Sequence, residues 1–324
     1  MHFARKTAIA SLLFFVASSL GWASEKTSAK KSANRTASAA PDHSRPNLVA
    51  NVPFVLVPVH VTTMLGGPMM HLEPADFHLF DQDTEHAIKS FSRDETPISV
   101  GVLFDSSGSM RDKLTKSADA ARAFLNTANG EDEHFLIEFG DRAKLSIPFT
   151  SDPSDLLGRL ARIRPFGRTT LFDAIHLALR QMKFARNKRK AIVIFSDGGD
   201  NWSRRTAREI RRDLAELEIQ VYAIGVVDER STEKLTKEER EGPALLDELA
   251  ELTGGTHLSA NLDGFKSTAE RIGNELRSRY LLGYSPTSET GDGRYHRVKV
   301  TVTPPGGLPD LRVSHRQGYY GGAN

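Results

Sequence analysis

The feature that most constrains this chain is a regular alternation, through its middle, of short apolar runs with helix-spaced segments. Ile98 to Phe104 is a short apolar run of the kind buried on both faces of a sheet. Lys113 to Ala128 instead sets Leu114, Ala118, Ala121 and Leu125 on one helical face. His134 to Phe139 and Lys144 to Phe149, separated by Gly140-Asp141-Arg142-Ala143, predict a hairpin. Helical spacing returns at Ser154 to Ile163 and Leu171 to Phe184. A buried strand at Ala191 to Phe195, a helix at Thr206 to Leu217 and a strand at Gln220 to Val226 follow. A helix around Ala244 to Leu252, a strand at Thr256 to Ser259 and a helix at Phe265 to Arg279 complete the pattern. Such alternation predicts an α/β fold, a doubly wound and mostly parallel sheet covered on both faces. In sheets of this kind a ligand lies outside the carboxyl ends of the strands, where the strand order reverses.

The flanks have a different texture. Residues 48–94 hold Phe54 to Val61, a β-branched run broken by a turn at Leu65-Gly66-Gly67-Pro68. Phe77 to Phe80 and Ala87 to Phe91 are further strand candidates. Pro53 and Pro58 in the first run predict an edge strand, because proline cannot donate to a ladder. After residue 279 the helices stop, and Tyr280 to Tyr284, Tyr295 to Val302 and Leu311 to Ser314 look like strands. Neither flank holds enough strands to be stable alone. The expected organisation is therefore an α/β domain over 95–279, with 48–94 and 280–324 packed together as one small discontinuous β unit.

Ahead of this, Arg5 and Lys6 precede a mostly apolar stretch from Ile9 to Leu20, and Gly21-Trp22-Ala23 supplies small residues at a cleavage site. Residues 1–23 are thus expected to be a signal peptide; the apolar run is short against the roughly 20 residues that a bilayer span needs. Residues 24–47, rich in Ser, Ala and Lys, lack the apolar surface to offset chain entropy and predict a disordered linker. The expected location is outside the cytoplasm, periplasmic or secreted, with no integral span after cleavage. Lys and Arg number 43 against 41 Asp and Glu, a formal net charge of +2, so a concentrated basic surface for nucleic acid is not expected. There is no cysteine, which excludes disulfides and thiol chemistry.

The segments that carry chemistry sit where the apolar strands end. Phe104-Asp105-Ser106-Ser107-Gly108-Ser109-Met110 places an aspartate and two serines at alternate positions of a tight loop, able to turn their oxygens to one point. Carboxylate and hydroxyl oxygens are hard ligands, suited to Mg²⁺, Mn²⁺ or Ca²⁺; the same residues also suit a helix cap. Gly167-Arg168-Thr169-Thr170 lies in a loop before a helix, and Ile192 to Asp200 brings Asp197 to the end of a second buried strand. If the two strands are neighbours, Asp105 and Asp197 share a crevice, and two close carboxylates repel unless a cation lies between them.

Asp-x-Ser-x-Ser, a Gly-x-Thr loop and a strand ending in Asp-Gly, in that order, resemble the metal-ion-dependent adhesion site of von Willebrand factor A-type domains. That resemblance implies hydroxyl ligands from Ser107, Ser109 and Thr169, with Asp105 and Asp197 binding the metal directly or through water. Thr170 competes with Thr169 for its role. Mg²⁺ is the metal implied, with Mn²⁺ or Ca²⁺ as alternatives, and the open coordination position accepts an acidic side chain of a protein partner. Arg168 stands where the family usually has glycine and places a cation on the partner-binding rim, alongside Asp200. Leu72 to Phe77, Ser90 to Arg93, Tyr280 to Pro286 and Gly318 to Tyr320 also resemble flanks of the exported von Willebrand factor A-related proteins abundant in Acidobacteria. No catalytic motif is present, neither a Gly-x-Ser-x-Gly elbow, a Walker loop nor His-Glu-x-x-His, and the chain is expected not to be an enzyme. The alternatives carried forward are a structural envelope protein whose metal only stabilises the loops, and a metal-dependent hydrolase.

Overall fold

The computed structural model describes residues 54–64, 66–226, 236–286, 293–306 and 310–321. The expected signal peptide and linker lie outside them. The chain begins with β1 (Val55–Thr63), β2 (Phe77–Asp81), β3 (Thr84–His86) and β4 (Ser90–Asp94). The middle follows as β5 (Ile98–Asp105), α1 (Leu114–Leu125), β6 (Glu133–Phe139), β7 (Ala143–Thr150), α2 (Pro153–Leu160) and α3 (Leu171–Gln181). Next come β8 (Arg189–Ser196), α4 (Ala207–Glu216), β9 (Gln220–Val226), α5 (Lys237–Thr253), β10 (His257–Ala260) and α6 (Phe265–Arg277). The last strands are β11 (Arg279–Tyr284), β12 (Tyr295–Val302), β13 (Leu311–His315) and β14 (Gly318–Tyr320).

The middle elements form the expected α/β layer. Six strands lie in the order β10-β9-β8-β5-β6-β7, all parallel but β7, which returns antiparallel from β6 in the predicted hairpin. β5 is buried along its whole length because both faces are covered. Val100, Val102 and Phe104 pack under α1 and α6, while Leu103 joins Ile192 and Ile194 under α3, α4 and α5. The chain runs from β5 to β6 on one side, and β8 pairs with β5 on the other. The strand order therefore reverses at β5, and the carboxyl ends of β5 and β8 open together at that switch point.

The flanks build two antiparallel sheets, β13-β1-β11-β4 and β14-β12-β2-β3, each with strands from both ends of the chain. Val57, Val59, Tyr280 and Leu282 from the first meet Phe77, Leu79, Val298 and Val300 from the second in one core. Three expectations change. The proline-bearing first strand is not at the edge: β1 lies between β11 and β13. The two ladders are staggered, however, since β11 flanks Val55–Val59 and β13 flanks Val59–Thr63. Pro58 falls outside the β13 ladder, so its missing N–H costs nothing on that side. The predicted strand over Ala87 to Phe91 is shorter at its start and shifted onward: 87–89 form the connection from β3 in one sheet to β4 in the other, and only Ser90 and Phe91 of the predicted run are strand. The predicted helix from Ala244 starts earlier, at Lys237, ahead of Pro243. A capping box in which Thr236 accepts from Glu239 N–H nucleates it upstream of the proline.

Candidate metal centre

Asp105 is the last residue of β5 and is fully buried. Its Oδ1 accepts from Ser107 N–H at 2.8 Å and its Oδ2 from Ser196 Oγ at 2.6 Å. Burial and the charge of Asp197 push its carboxyl up, to about 7, against the pull of those hydrogen bonds. The loop that follows turns Ser107 and Ser109 towards each other, their Oγ atoms 3.0 Å apart. Gly108 N–H donates to Gly167 O at 2.9 Å, which draws the Gly-x-Thr loop against the Asp-x-Ser-x-Ser loop.

Asp197 follows β8 and is also buried. Its Oδ2 accepts from Lys113 Nζ at 3.1 Å, whereas its Oδ1 is buried with no partner among the described residues. Gly198 holds φ +87° immediately after it and packs so tightly on Gly242 of α5 that a Cβ would lie 2.5 Å from the Gly242 carbonyl oxygen. Only glycine allows that turn and that approach, and together they aim the end of β8.

The structure separates the two threonines. Thr170 Oγ1 donates to Gly140 O at 2.9 Å and is committed to the loop. Thr169 is buried, its main chain is held by Asn201 on both sides, and its Oγ1 has no partner among the described residues. Asp105, Ser107, Ser109, Thr169 and Asp197 are thus brought to one end of the parallel sheet. The two rim residues differ. Arg168 is exposed, with its guanidinium 3.7 Å above the Trp202 ring. Asp200 turns inward: its carboxylate accepts from Phe172 N–H at 2.9 Å and from Ser203 Oγ at 2.6 Å, capping the start of α3. These bonds tie the half-buried Asp200 to the start of α3 and to the loop after β8.

Sequence reasoning missed Lys113, Ser196, Asn201 and Trp202. Lys113 did carry a signal. It is the N-cap residue of α1, and a cation there faces the positive end of the helix dipole unless a carboxylate answers it.

The donor set fits a hard divalent cation. Two carboxylates and three hydroxyls lie at one end of the sheet, and among the described residues the buried Asp197 Oδ1 lacks a donor and Thr169 Oγ1 makes no hydrogen bond. Among the described residues no group of three His, Cys, Asp or Glu side chains converges, so a cation here would depend on hydroxyl ligands as well as carboxylates.

Residues 100–199 match the von Willebrand factor type A domain family. The match runs from within β5 to the turn after β8 and takes in all five candidate ligands. Among solved structures, a von Willebrand factor type A protein from Catenulispora acidiphila is 11% identical, covering 76% of this chain and 75% of that one, with a TM-score of 0.48. An aerotolerance-related membrane protein from Bacteroides fragilis is 24% identical over 55% of this chain and 98% of its own, with a TM-score of 0.45. The von Willebrand factor domain of the type V pili tip protein Mfa5 from Porphyromonas gingivalis is 12% identical over 56% and 95%, with a TM-score of 0.45. No curated protein matches the chain.

Proposed function

We propose that this chain is an exported binding protein that captures an acidic side chain of a protein partner through a divalent cation held in its type A domain. Asp105 and Asp197, directly or through water, and the hydroxyls of Ser107, Ser109 and Thr169 hold the cation, which supplies an electrophilic site for the incoming carboxylate. The observation that carries this reading is the buried Asp197 Oδ1, without a partner among the described residues, beside a fully buried Asp105. A carboxylate oxygen without a donor is costly in a dry site and is stabilised by a cation. Mg²⁺ suits this hard oxygen set, and Mn²⁺ and Ca²⁺ share its chemistry. Arg168, exposed on Trp202, adds positive charge at the rim and favours an acidic partner. Export rests on residues 1–23, and no helix among the described residues is long and apolar enough to cross a membrane.

Binding fits the site better than hydrolysis does. Ser107 and Ser109 hydrogen-bond each other, and among the described residues no histidine bonds either hydroxyl, so the histidine base of a serine triad is not placed there. A purely structural metal fits less well too. Gly108 to Gly167, Thr170 to Gly140 and Asn201 to Thr169 already tie the loops without it.

The test is a calorimetric titration of the purified protein with Mg²⁺ and Mn²⁺, paired with a pull-down from the native envelope fraction with and without EDTA. Expected is saturable cation binding that Asp105→Ala abolishes, and a partner released by EDTA. Absence of binding by either cation would falsify the reading. Unfolding on chelation, with no EDTA-sensitive partner, would support the structural alternative instead.

A further inference from the structure

Lys113 is buried, 8% exposed, and its ammonium bonds Asp197 inside the site. Its position is unfavourable twice over. It stands at the N-cap of α1, where the helix dipole repels a cation, and its ammonium has left water. Most lysines escape both penalties by reaching into solvent. This one instead faces a carboxylate whose other oxygen has no partner among the described residues.

We infer that Lys113 sets the charge of the cation-loaded site, loosening its hold on the metal and strengthening its hold on a carboxylate from the partner; this rests on the metal-dependent reading above. With both carboxylates ionised, as ligation of a divalent cation requires, the two aspartates and the Lys113 ammonium together contribute a single net negative charge to the site. A divalent cation turns it to a single positive charge, and one partner carboxylate then neutralises it. Without Lys113 the two aspartates already neutralise the cation, and an arriving carboxylate makes the site negative. The same charge therefore acts with opposite sign on the two ligands, metal and carboxylate, because each lies within a few ångströms in a largely buried site where screening is weak. Its hydrogen bond to Asp197 Oδ2 also leaves Oδ1 as the oxygen free to face the cation.

The experiment uses the mature chain with two probes, Mn²⁺ followed by electron paramagnetic resonance, then acetate added to the Mn²⁺-loaded protein. Lys113→Gln keeps a donor to Asp197 without the charge, Lys113→Met removes both, and Lys113→Arg keeps the charge. Expected for Lys113→Gln is Mn²⁺ binding tightened about tenfold and acetate binding weakened about tenfold, with Lys113→Arg close to the parent in both. If Lys113→Met does not fold, Lys113→Gln and Lys113→Arg still separate charge from hydrogen bonding. Weakening of both ligands together in Lys113→Gln assigns the lysine a merely structural role and overturns the inference, as does no change in either. A parent protein that binds no Mn²⁺ marks the failure of the metal reading itself, with the inference falling alongside it.

Discussion

Ser196 Oγ donates to Asp105 Oδ2 across 2.6 Å and accepts from Gly198 N–H at 3.0 Å. One hydroxyl thus clamps the ends of β5 and β8 and orients the carboxylate between them. Ser196→Ala leaves both a buried carboxylate oxygen and a buried N–H short of a partner. The expected loss is about 1–3 kcal/mol of stability, read as a lower urea midpoint, together with weaker cation binding. Unchanged stability and affinity would show that the clamp is dispensable.

Thr169 and Thr170 are adjacent, both buried and chemically alike, yet they are held differently. Thr170→Ala removes the bond to Gly140 O and is expected to lower stability by about 1 kcal/mol with cation affinity retained. Thr169→Ala breaks no side-chain bond and is expected to leave stability near the parent while weakening Mg²⁺ binding about tenfold, some 1.4 kcal/mol. Calorimetry and urea unfolding of the two variants separate these outcomes, and a reversed pattern would transfer the ligand role to Thr170.

Asp200 caps the start of α3 through Phe172 N–H and Ser203. Asp200→Ala is expected to cost about 1 kcal/mol of stability, as for a lost helix cap, without change in cation or partner binding. A binding defect at unchanged stability would return this residue to the rim.

Trp202 is 53% exposed beneath Arg168, and Phe166 in the same loop region is 74% exposed. Trp202→Ala removes a cation–π contact of roughly 0.5–1 kcal/mol and releases the guanidinium. Partner capture in the EDTA-controlled pull-down is expected to weaken while Mg²⁺ affinity holds; equal capture by parent and variant would place the partner elsewhere.

His60 joins the β unit to the α/β layer: Nδ1 bonds Glu275 O at 2.9 Å, and Nε2 meets Tyr222 OH and Gln220 Nε2 at 3.0 Å each. Burial, then the charge of Arg279, depress its pKa to about 4 from 6.5. Between those values the unfolded chain takes up a proton that the folded chain refuses. Stability therefore falls as pH drops from 6.5 to about 4, by up to about 3 kcal/mol from this group. His134, also lowered to about 4 by burial, acts in the same direction. Asp105 opposes them, since its raised carboxyl keeps a proton in the fold between 3.8 and about 7. Urea unfolding of the parent and His60→Gln at pH 7 and pH 4.5 should show a smaller acid loss in the variant. Equal losses would remove His60 as the cause.

Much of the α/β layer was legible because its signals are local. β5 and β8 are apolar without alternation, as strands covered on both faces must be, and α1 and α6 carry one apolar face each. The candidate ligands were legible for the same reason, since Asp105, Ser107, Ser109 and Asp197 sit within a few residues of a strand end and Thr169 sits just before the start of α3. Local signals failed where two segments compete for one partner. Pro58 predicted an edge, but staggered ladders let β1 sit inside its sheet. Pro243 hid the first turns of α5, because the cap that nucleates them lies upstream.

By itself, then, the sequence determined the alternation of strands and helices, the oxygen-bearing loops at the ends of β5 and β8, and the glycine that the turn after Asp197 requires. Only the tertiary structure decided which threonine hydroxyl has no partner among the described residues, that Asp200 bonds the start of α3, and that Lys113 reaches Asp197 from 84 residues away. Periodicity and turns depend on side chains within one or two turns of chain. Pairing a buried charge depends on strands from distant parts of the sequence coming side by side, and no short stretch of residues encodes that alone.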